Sequence, residues 1–197
     1  MPSSTPSLQT PVLLVAMPQI RDPFFSQSVV LLIDHQPEGS FGLIINRPTE
    51  LTVKEVLDGL EIEWQGEVTA MTHFGGPVQP QMGTVLFDER AAALPTIAGA
   101  TLEICDGIRI TQHIGDLSSI AARPPDAFRL LLGYAGWGQG QLEEEIQRND
   151  WLIAPLATEF LFAPDPTSIW SGVLRSLDID PSSLPSWTEE TDPDQVN

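Results

Sequence analysis

The sequence predicts an α/β (α+β) protein built as a single domain, a mixed β-sheet with flanking helices. Three observations predict it. Short runs rich in Val, Ile and Leu crowd the first half, separated by Pro/Gly turns. A strand–turn–helix order returns late, in "LLLGYAGWGQGQLEEEIQRNDWL", so hairpins and a strand-to-helix unit share one sheet. A chain of 197 residues with 42% apolar content has enough material for one core. Cys105 is its only cysteine, which excludes an intrachain disulfide and a cysteine-rich zinc site.

Residues 1–10 are rich in Ser, Thr and Pro and read as a flexible N-terminus. "PVLLVAMP" is a buried strand closed by Pro18. "SVVLLIDH", the turn "QPEGS" and the apolar "FGLIINRP" together read as a hairpin. Thr52 and Glu55 make a capping box, so "TVKEVLDGL" should be a short helix ending near Gly59. "EIEWQGEVTAMTHFGGPVQPQMG" is broken by Gly and Pro and reads as mostly loop, followed by the strand "GTVLFDE".

Asp106-Gly107, inside "TLEICDGIRIT", is the preferred pair for a type I′ hairpin turn. "GDLSSIAARPP" predicts a two-turn helix stopped by Pro124 and Pro125, and "AFRLLLGYAG" a strongly apolar strand. "GQLEEEIQRND" places Leu142 and Ile146 on one helical face, and "EFLFAP" reads as a further short strand. "DPTSIWSGVLRSLDI" is the clearest helix, with Asp165 as cap, Pro166 at the first position, and Ile169, Val173, Leu174 and Leu177 on one face. From 181 to 197 proline, serine and acid dominate, the signature of a disordered tail. The domain should therefore cover 11–180, with roughly seven or eight strands and three or four helices.

The charge narrows the function classes. The chain carries −18, with a single lysine, Lys54, and eight scattered arginines. Direct nucleic-acid binding needs a basic surface that this composition does not offer. No basic region precedes the short apolar run at the N-terminus, and no run approaches the ~18 apolar residues of a membrane span. A soluble cytoplasmic protein, without membrane attachment, is the expectation.

Gly136, Gly138 and Gly140 lie where a phosphate-binding loop would lie, between a strand and a helix N-terminus. Gln141 stands where the dinucleotide spacing requires a third glycine, and Glu143, Glu144 and Glu145 favour the helix dipole without any ligand. The expectation is an architectural corner, with Gly136 or Gly138 at positive φ. His35, His73 and His113 show no metal-ligand spacing and read as surface or satisfied core histidines. No G-x-S-x-G elbow is present, and Cys105 between Glu103 and Asp106 reads as an inert thiol. Glu143–Glu145 read as a solvated face, with Trp137 and Trp151 packing across their helix. No catalytic residue, metal or cofactor is expected.

Taken together, "LLVAMPQIRDPFFSQSVVLLIDH", "GSFGLIINRP", "GGPV" and "LGYAGWGQGQLEEEIQRNDWL" resemble the YqgE/AlgH family of bacterial proteins, from about Leu13 to Leu184. The resemblance implies one compact α/β unit whose sheet curls into a pseudo-barrel, and no settled activity. One branch of that family carries a transcriptional-regulator label. The leading expectation is a regulatory or adaptor protein acting through contacts with a protein partner. The alternative is a small-ligand or nucleotide binder at the turns Gly75–Pro77 and Gly136–Gly140, and the third is an enzyme. Arg21, Asn46, Arg47, Gly76, Tyr134 and Trp137, in loops after apolar strands, are the candidate ligand- or partner-binding residues.

Overall fold

The computed structural model describes residues 8–91 and 101–185. The apolar runs of the first half become β1 (Val12–Ala16), β2 (Val29–Gln36) and β3 (Gly39–Ile44), each antiparallel to the next. Successive residues in them face two different cores. Leu13, Val15, Val29, Leu31 and Leu43 point one way, and Leu14, Ala16, Val30, Leu32 and Ile44 the other. Burial on both faces is why these runs read as continuous apolar stretches rather than alternating ones.

The edge strand β4 (Pro48–Thr52) leads into α1 (Val53–Asp58) through the expected capping box. Thr52 Oγ1 accepts from Glu55 N at 3.1 Å, and Glu55 Oε2 accepts from Thr52 N at 2.8 Å. Next comes a departure. The Gly/Pro-broken stretch, read from sequence as mostly loop, contains β5 (Met71–Phe74) and the start of the eleven-residue β6 (Val78–Asp88). Its breakers have local reasons. Pro80 lies where the register of β6 shifts between Val78 and Gly83, so its missing N–H breaks no regular ladder.

The Asp-Gly hairpin forms as read, between β7 (Leu102–Cys105) and β8 (Ile108–Thr111). Asp106 and Gly107 have φ of 39° and 84°, the double positive φ of a type I′ turn. There follow α2 (Ile114–Ala122), the central strand β9 (Phe128–Gly138) and α3 (Gln141–Gln147). β10 (Trp151–Pro155), absent from the sequence reading, pairs with β1. "EFLFAP" is not a strand: Thr158–Phe160 is a 3-10 turn that delivers Leu161 into the core. Pro166–Ser168 form another 3-10 turn, with Asp165 accepting from Thr167 N at 2.9 Å, and α4 (Ile169–Ser176) follows. The described residues thus hold ten strands and four α-helices.

The main path of the sheet is β10-β1-β2-β3-β9-β6-β8-β7, with the β4–β5 pair attached to β9. All pairings are antiparallel except β5 with β9, so the sheet is mixed. Its two ends do not pair with each other, and the curl implied by the resemblance does not close into a barrel. α4 covers one face of β1–β3, α3 covers the other, and α1 and α2 pack on Val85, Phe87 and Leu130.

β9 carries different partners on its two edges. His73 and Phe74 of β5 pair with Leu131 and Leu132 on one edge, and β3 continues that edge from Ala135. β6 takes the opposite edge, with Val78 opposite Tyr134. The chain must therefore cross over β9 within Gly75-Gly76-Pro77. Glycine makes the crossing possible. A Cβ on Gly76 would lie 2.1 Å from the Tyr134 carbonyl carbon, one on Gly75 2.3 Å from the Gly133 oxygen, and one on Gly133 2.3 Å from the Gly76 oxygen. Gly133 also has φ 72°. The sequence reading placed the positive φ at Gly136 or Gly138, but neither has it; along this stretch the left-handed residues are Gly133 and Gly140.

Residues 1–7 of the N-terminal stretch and 186–197 of the acidic tail lie outside the described residues. Leu8 packs against the α3-side core and Leu184, just past the 3-10 turn Pro181–Ser183, against the α4-side core.

Gly133→Ala should destabilise the protein far more than Gly140→Ala. Both have positive φ, but a Cβ at Gly140 would meet nothing within 4 Å. Urea denaturation should give about 1 kcal/mol for Gly140→Ala, the backbone strain alone, and at least about 2 kcal/mol more for Gly133→Ala. Equal losses would show that the crossing is not sterically constrained.

Candidate functional site

The six residues singled out from the sequence do not form one site. Trp137 belongs to a structural clamp. Its Nε1 donates to Glu145 Oε2 at 2.8 Å, and Trp151 Nε1 donates to the same oxygen at 2.8 Å. Gln141 Nε2 donates to the other oxygen at 2.9 Å, while Gln141 Oε1 accepts from Gly138 N at 3.1 Å. One carboxylate thereby ties α3 to β9 and β10, with the two indoles edge-to-face at 5.8 Å. Glu145 is not part of a solvated face. The clue was in the sequence: the carboxylate lies eight residues after one tryptophan and six before the other.

Gly76 serves the crossing through its backbone, and Arg21 is exposed elsewhere. Asn46 is buried and holds the loop before β2, accepting from Val29 N at 2.8 Å and donating to Gln27 O at 2.9 Å. Those bonds fix Gln27 at φ 54°. Arg47 Nη2 donates to Ser26 O of the same loop, and its Nε is buried without an acceptor. Asn46 and Arg47 share a small cavity. Tyr134 is elsewhere, with its ring 5.1 Å from Phe41.

Tyr134 and Phe41 open onto a cleft of about 1260 Å³ between the β2–β3 and β7–β8 hairpins. Ile33, Met82, Leu102, Ile110 and Trp137 supply the rest of its apolar lining, so two of the six predicted residues, Tyr134 and Trp137, meet here. Asp34 and Glu38 are its acids, and no lysine or arginine lines it. Leu102 is 52% exposed at its edge.

The histidines take three different roles. His35 Nδ1 shares a hydrogen bond of 2.8 Å with Ser40 Oγ, and its Nε2 lies 3.6 Å from Glu143. This resembles a serine-histidine-acid relay but lacks its geometry, because the carboxylate stands outside hydrogen-bonding distance of the imidazole. The arrangement latches the β2–β3 hairpin to α3. His113 is exposed. His73 is buried beside Arg129, and neither ring nitrogen has a hydrogen-bond partner of normal geometry, contrary to the satisfied core histidine expected. Burial, with help from the Arg129 charge, lowers its pKa to about 3, opposed weakly by the Met71 backbone.

Arg129 is itself buried, with its pKa lowered to about 10 by desolvation. It donates to Ile45 O at 2.5 Å and Ala163 O at 2.8 Å, and no ion pair to it is formed among the described residues. Sequence reading missed it, since an arginine inside an apolar strand reads as an edge or surface residue. Burial pushes the Cys105 thiol up, and Asp106 and Glu103 add to that, consistent with an unreactive thiol. No group of three or more His, Cys, Asp or Glu among the described residues could hold a metal.

A profile of AlgH-like proteins matches residues 13–182. The chain belongs to the AlgH-like family. A UPF0301 protein of Cereibacter sphaeroides is 38% identical, covering 88% of this chain and 94% of the relative. A UPF0301 protein of Magnetococcus marinus is 37% identical over 87% of this chain and 90% of its own. The solution structure of AlgH from Pseudomonas aeruginosa superposes with a TM-score of 0.72 at 34% identity, covering 91% of this chain and 94% of AlgH. A Corynebacterium diphtheriae protein, DIP2367, shares the fold at 23% identity, with a TM-score of 0.69 over 86% of this chain and 87% of its own. No described helix of this AlgH-like chain is long and apolar enough to cross a membrane.

Two outcomes test these assignments in the AlgH-like chain. Glu145→Ala strands two indole N–H groups in residues that are 6% and 5% exposed. It should cost about 2 kcal/mol or more in urea melts, and Glu145→Gln, which retains one acceptor oxygen, should cost less. A loss within ~0.5 kcal/mol, as expected for exposed Glu144, would remove the clamp from the argument.

His73 has its pKa lowered in the folded state, to about 3 from 6.5, so between those values the unfolded chain binds a proton that the folded chain does not. Its contribution is present above pH 6.5 and is lost as pH falls through that window, by up to about 1.4 kcal/mol per pH unit. The stability difference between wild type and His73→Leu should therefore move in favour of the variant as pH falls from 6.5 toward 3. Parallel pH–stability curves would contradict the buried neutral imidazole.

Proposed function

We propose that this AlgH-like protein is a regulatory or adaptor protein that works by binding a segment of a protein partner in the cleft between the β2–β3 and β7–β8 hairpins. The observation that carries this reading is the lining of the cleft: aromatic and aliphatic walls from Phe41, Tyr134, Met82 and Ile110, an edge carrying Asp34 and Glu38, with His113 and no lysine or arginine. Such a surface suits an apolar segment with Lys or Arg at its margin, since desolvated aromatic anchors carry affinity and charge complementarity sets partner choice. The net charge of −18 steers the same class of partner.

A nucleotide is the weaker occupant. Its phosphates would find acids and no guanidinium or ammonium group in this cleft. The glycine-rich stretch is a poor replacement: Gly136 and Gly138 are strand residues, and the cavity beside them, about 290 Å³, is too small for a nucleotide and sets Asp22, Glu145 and Asp150 against the single Arg148.

Leu102→Arg tests the reading at a half-exposed position, where the fold should tolerate it. In quantitative affinity capture from the native cell, at least one protein should be retained by wild type and reduced about tenfold or more by the substitution, a loss of about 1.4 kcal/mol. A synthetic segment of that protein should then bind the wild-type chain directly in calorimetry. A captured set indifferent to Leu102→Arg, or a thermal shift with millimolar ATP or NAD, would sink the proposal.

A further inference from the structure

The second cavity that matters is small, about 280 Å³, and chemically the opposite of the cleft. It lies where the loop Ser26–Gln27, the β3–β4 link Asn46–Pro48 and the start of α4, at Thr167 and Trp170, come together. In a chain with 27 acids and nine bases, no Asp or Glu among the described residues lines it and Arg47 does. One Arg47 nitrogen is committed to Ser26 O, and its buried Nε has no acceptor.

Two further sources of positive potential stand behind it. Arg129 donates to Ile45 O, one residue from Asn46, and to Ala163 O in the segment leading to α4, and forms no ion pair among the described residues. The N-terminal end of α4 carries partial positive charge, and its N-cap residue Ser168 makes no side-chain capping bond. Against these stands Asp165, whose Oδ1 accepts the Thr167 N–H at 2.9 Å and hydroxyl at 2.6 Å. Its carboxylate is engaged in the turn. Trp170 is held rigidly as a wall, its Nε1 donating to Ala16 O at 2.8 Å.

We infer that this cavity is a binding site for a small oxyanion, a phosphate or the carboxylate of a short organic acid, held by the Arg47 guanidinium. A planar guanidinium with unmade donors pairs best with an acceptor that presents two oxygens, as both groups do. The volume admits such an anion with a few attached carbons and excludes a nucleotide. The site is separate from the cleft, and it stands or falls independently of the partner-binding proposal.

The test uses the full chain labelled with ¹⁵N and titrated separately with sodium phosphate and sodium acetate, each against sodium chloride at matched ionic strength. The Trp170 indole and Thr167 amide signals should shift saturably, with a dissociation constant in the millimolar range or tighter, for at least one of the two anions. Arg47→Gln should weaken that response tenfold or more. Because Arg47 also holds Ser26, Thr167→Glu provides a second variant at an exposed position; it places a carboxylate at the cavity and should abolish binding with the fold intact. Response to phosphate alone or to acetate alone identifies the oxyanion class. Shifts that do not saturate, that chloride reproduces, or that survive Thr167→Glu would overturn the site.

Discussion

The structure depends on one backbone contact, the passage of Gly75-Gly76 over Gly133. Gly75 N donates to Leu132 O at 2.8 Å before the crossing, and Gly75 O accepts from Ile44 N at 2.8 Å. The crossing segment is thus hydrogen-bonded to β9 and to the end of β3 together. Without it β5 and β6 could not occupy opposite edges of β9, and the sheet would lack its only parallel pairing. Both cavities follow from this arrangement. The irregular entry of β6 after the crossing brings Gln79 and Met82 to the cleft beside Tyr134. On the other side, Phe74 N donates to Arg47 O at 2.7 Å, fixing the link that carries the small cavity's cation.

Charge sorts the two cavities. With acids outnumbering bases three to one, a surface chosen at random should be acidic, and the large cleft conforms. The small cavity departs from that background, and it does so where the chain also buries Arg129 without an ion pair. Desolvating a guanidinium is costly unless its donors are satisfied. The carbonyls of Ile45 and Ala163 compensate in part, and the residual charge contributes to keeping His73 neutral. An anion outside, at Arg47, would lower the electrostatic energy of this whole group.

Most of the fold was legible because its signals were local. The Thr52–Glu55 capping box, the Asp106-Gly107 turn and the Asp165-Pro166 helix start each need only a few residues to specify geometry, and each is formed as read. What the sequence hid was long-range. Gly75, Gly76 and Pro80 look like loop punctuation until β9 is placed beneath them. β10 is short, begins with Trp151, and gains its identity from pairing with β1 more than a hundred residues away. The sites were less legible still. Asn46 and Arg47 do line one cavity and Tyr134 and Trp137 another, but Gly76 is architectural and Trp137 also anchors α3, and residue type alone could not separate the two kinds of role.

Glu145 and Arg129 show why that separation fails. Each ionisable group joins elements by two contacts, and each would be singled out by chemistry as functional. Glu145 acts over short range, accepting from tryptophans eight and six residues away, so its helix is fixed by its own neighbourhood. Arg129 reaches carbonyls 84 and 34 residues away, joining the end of β3 to the approach of α4. Those are the two walls between which the Arg47 cavity lies. The buried arginine is therefore structural by its contacts and electrostatic by its consequence: the bonds that hold the walls together also leave an uncompensated charge behind the cavity. A positioning group of this kind gives a site its sign without touching what binds there.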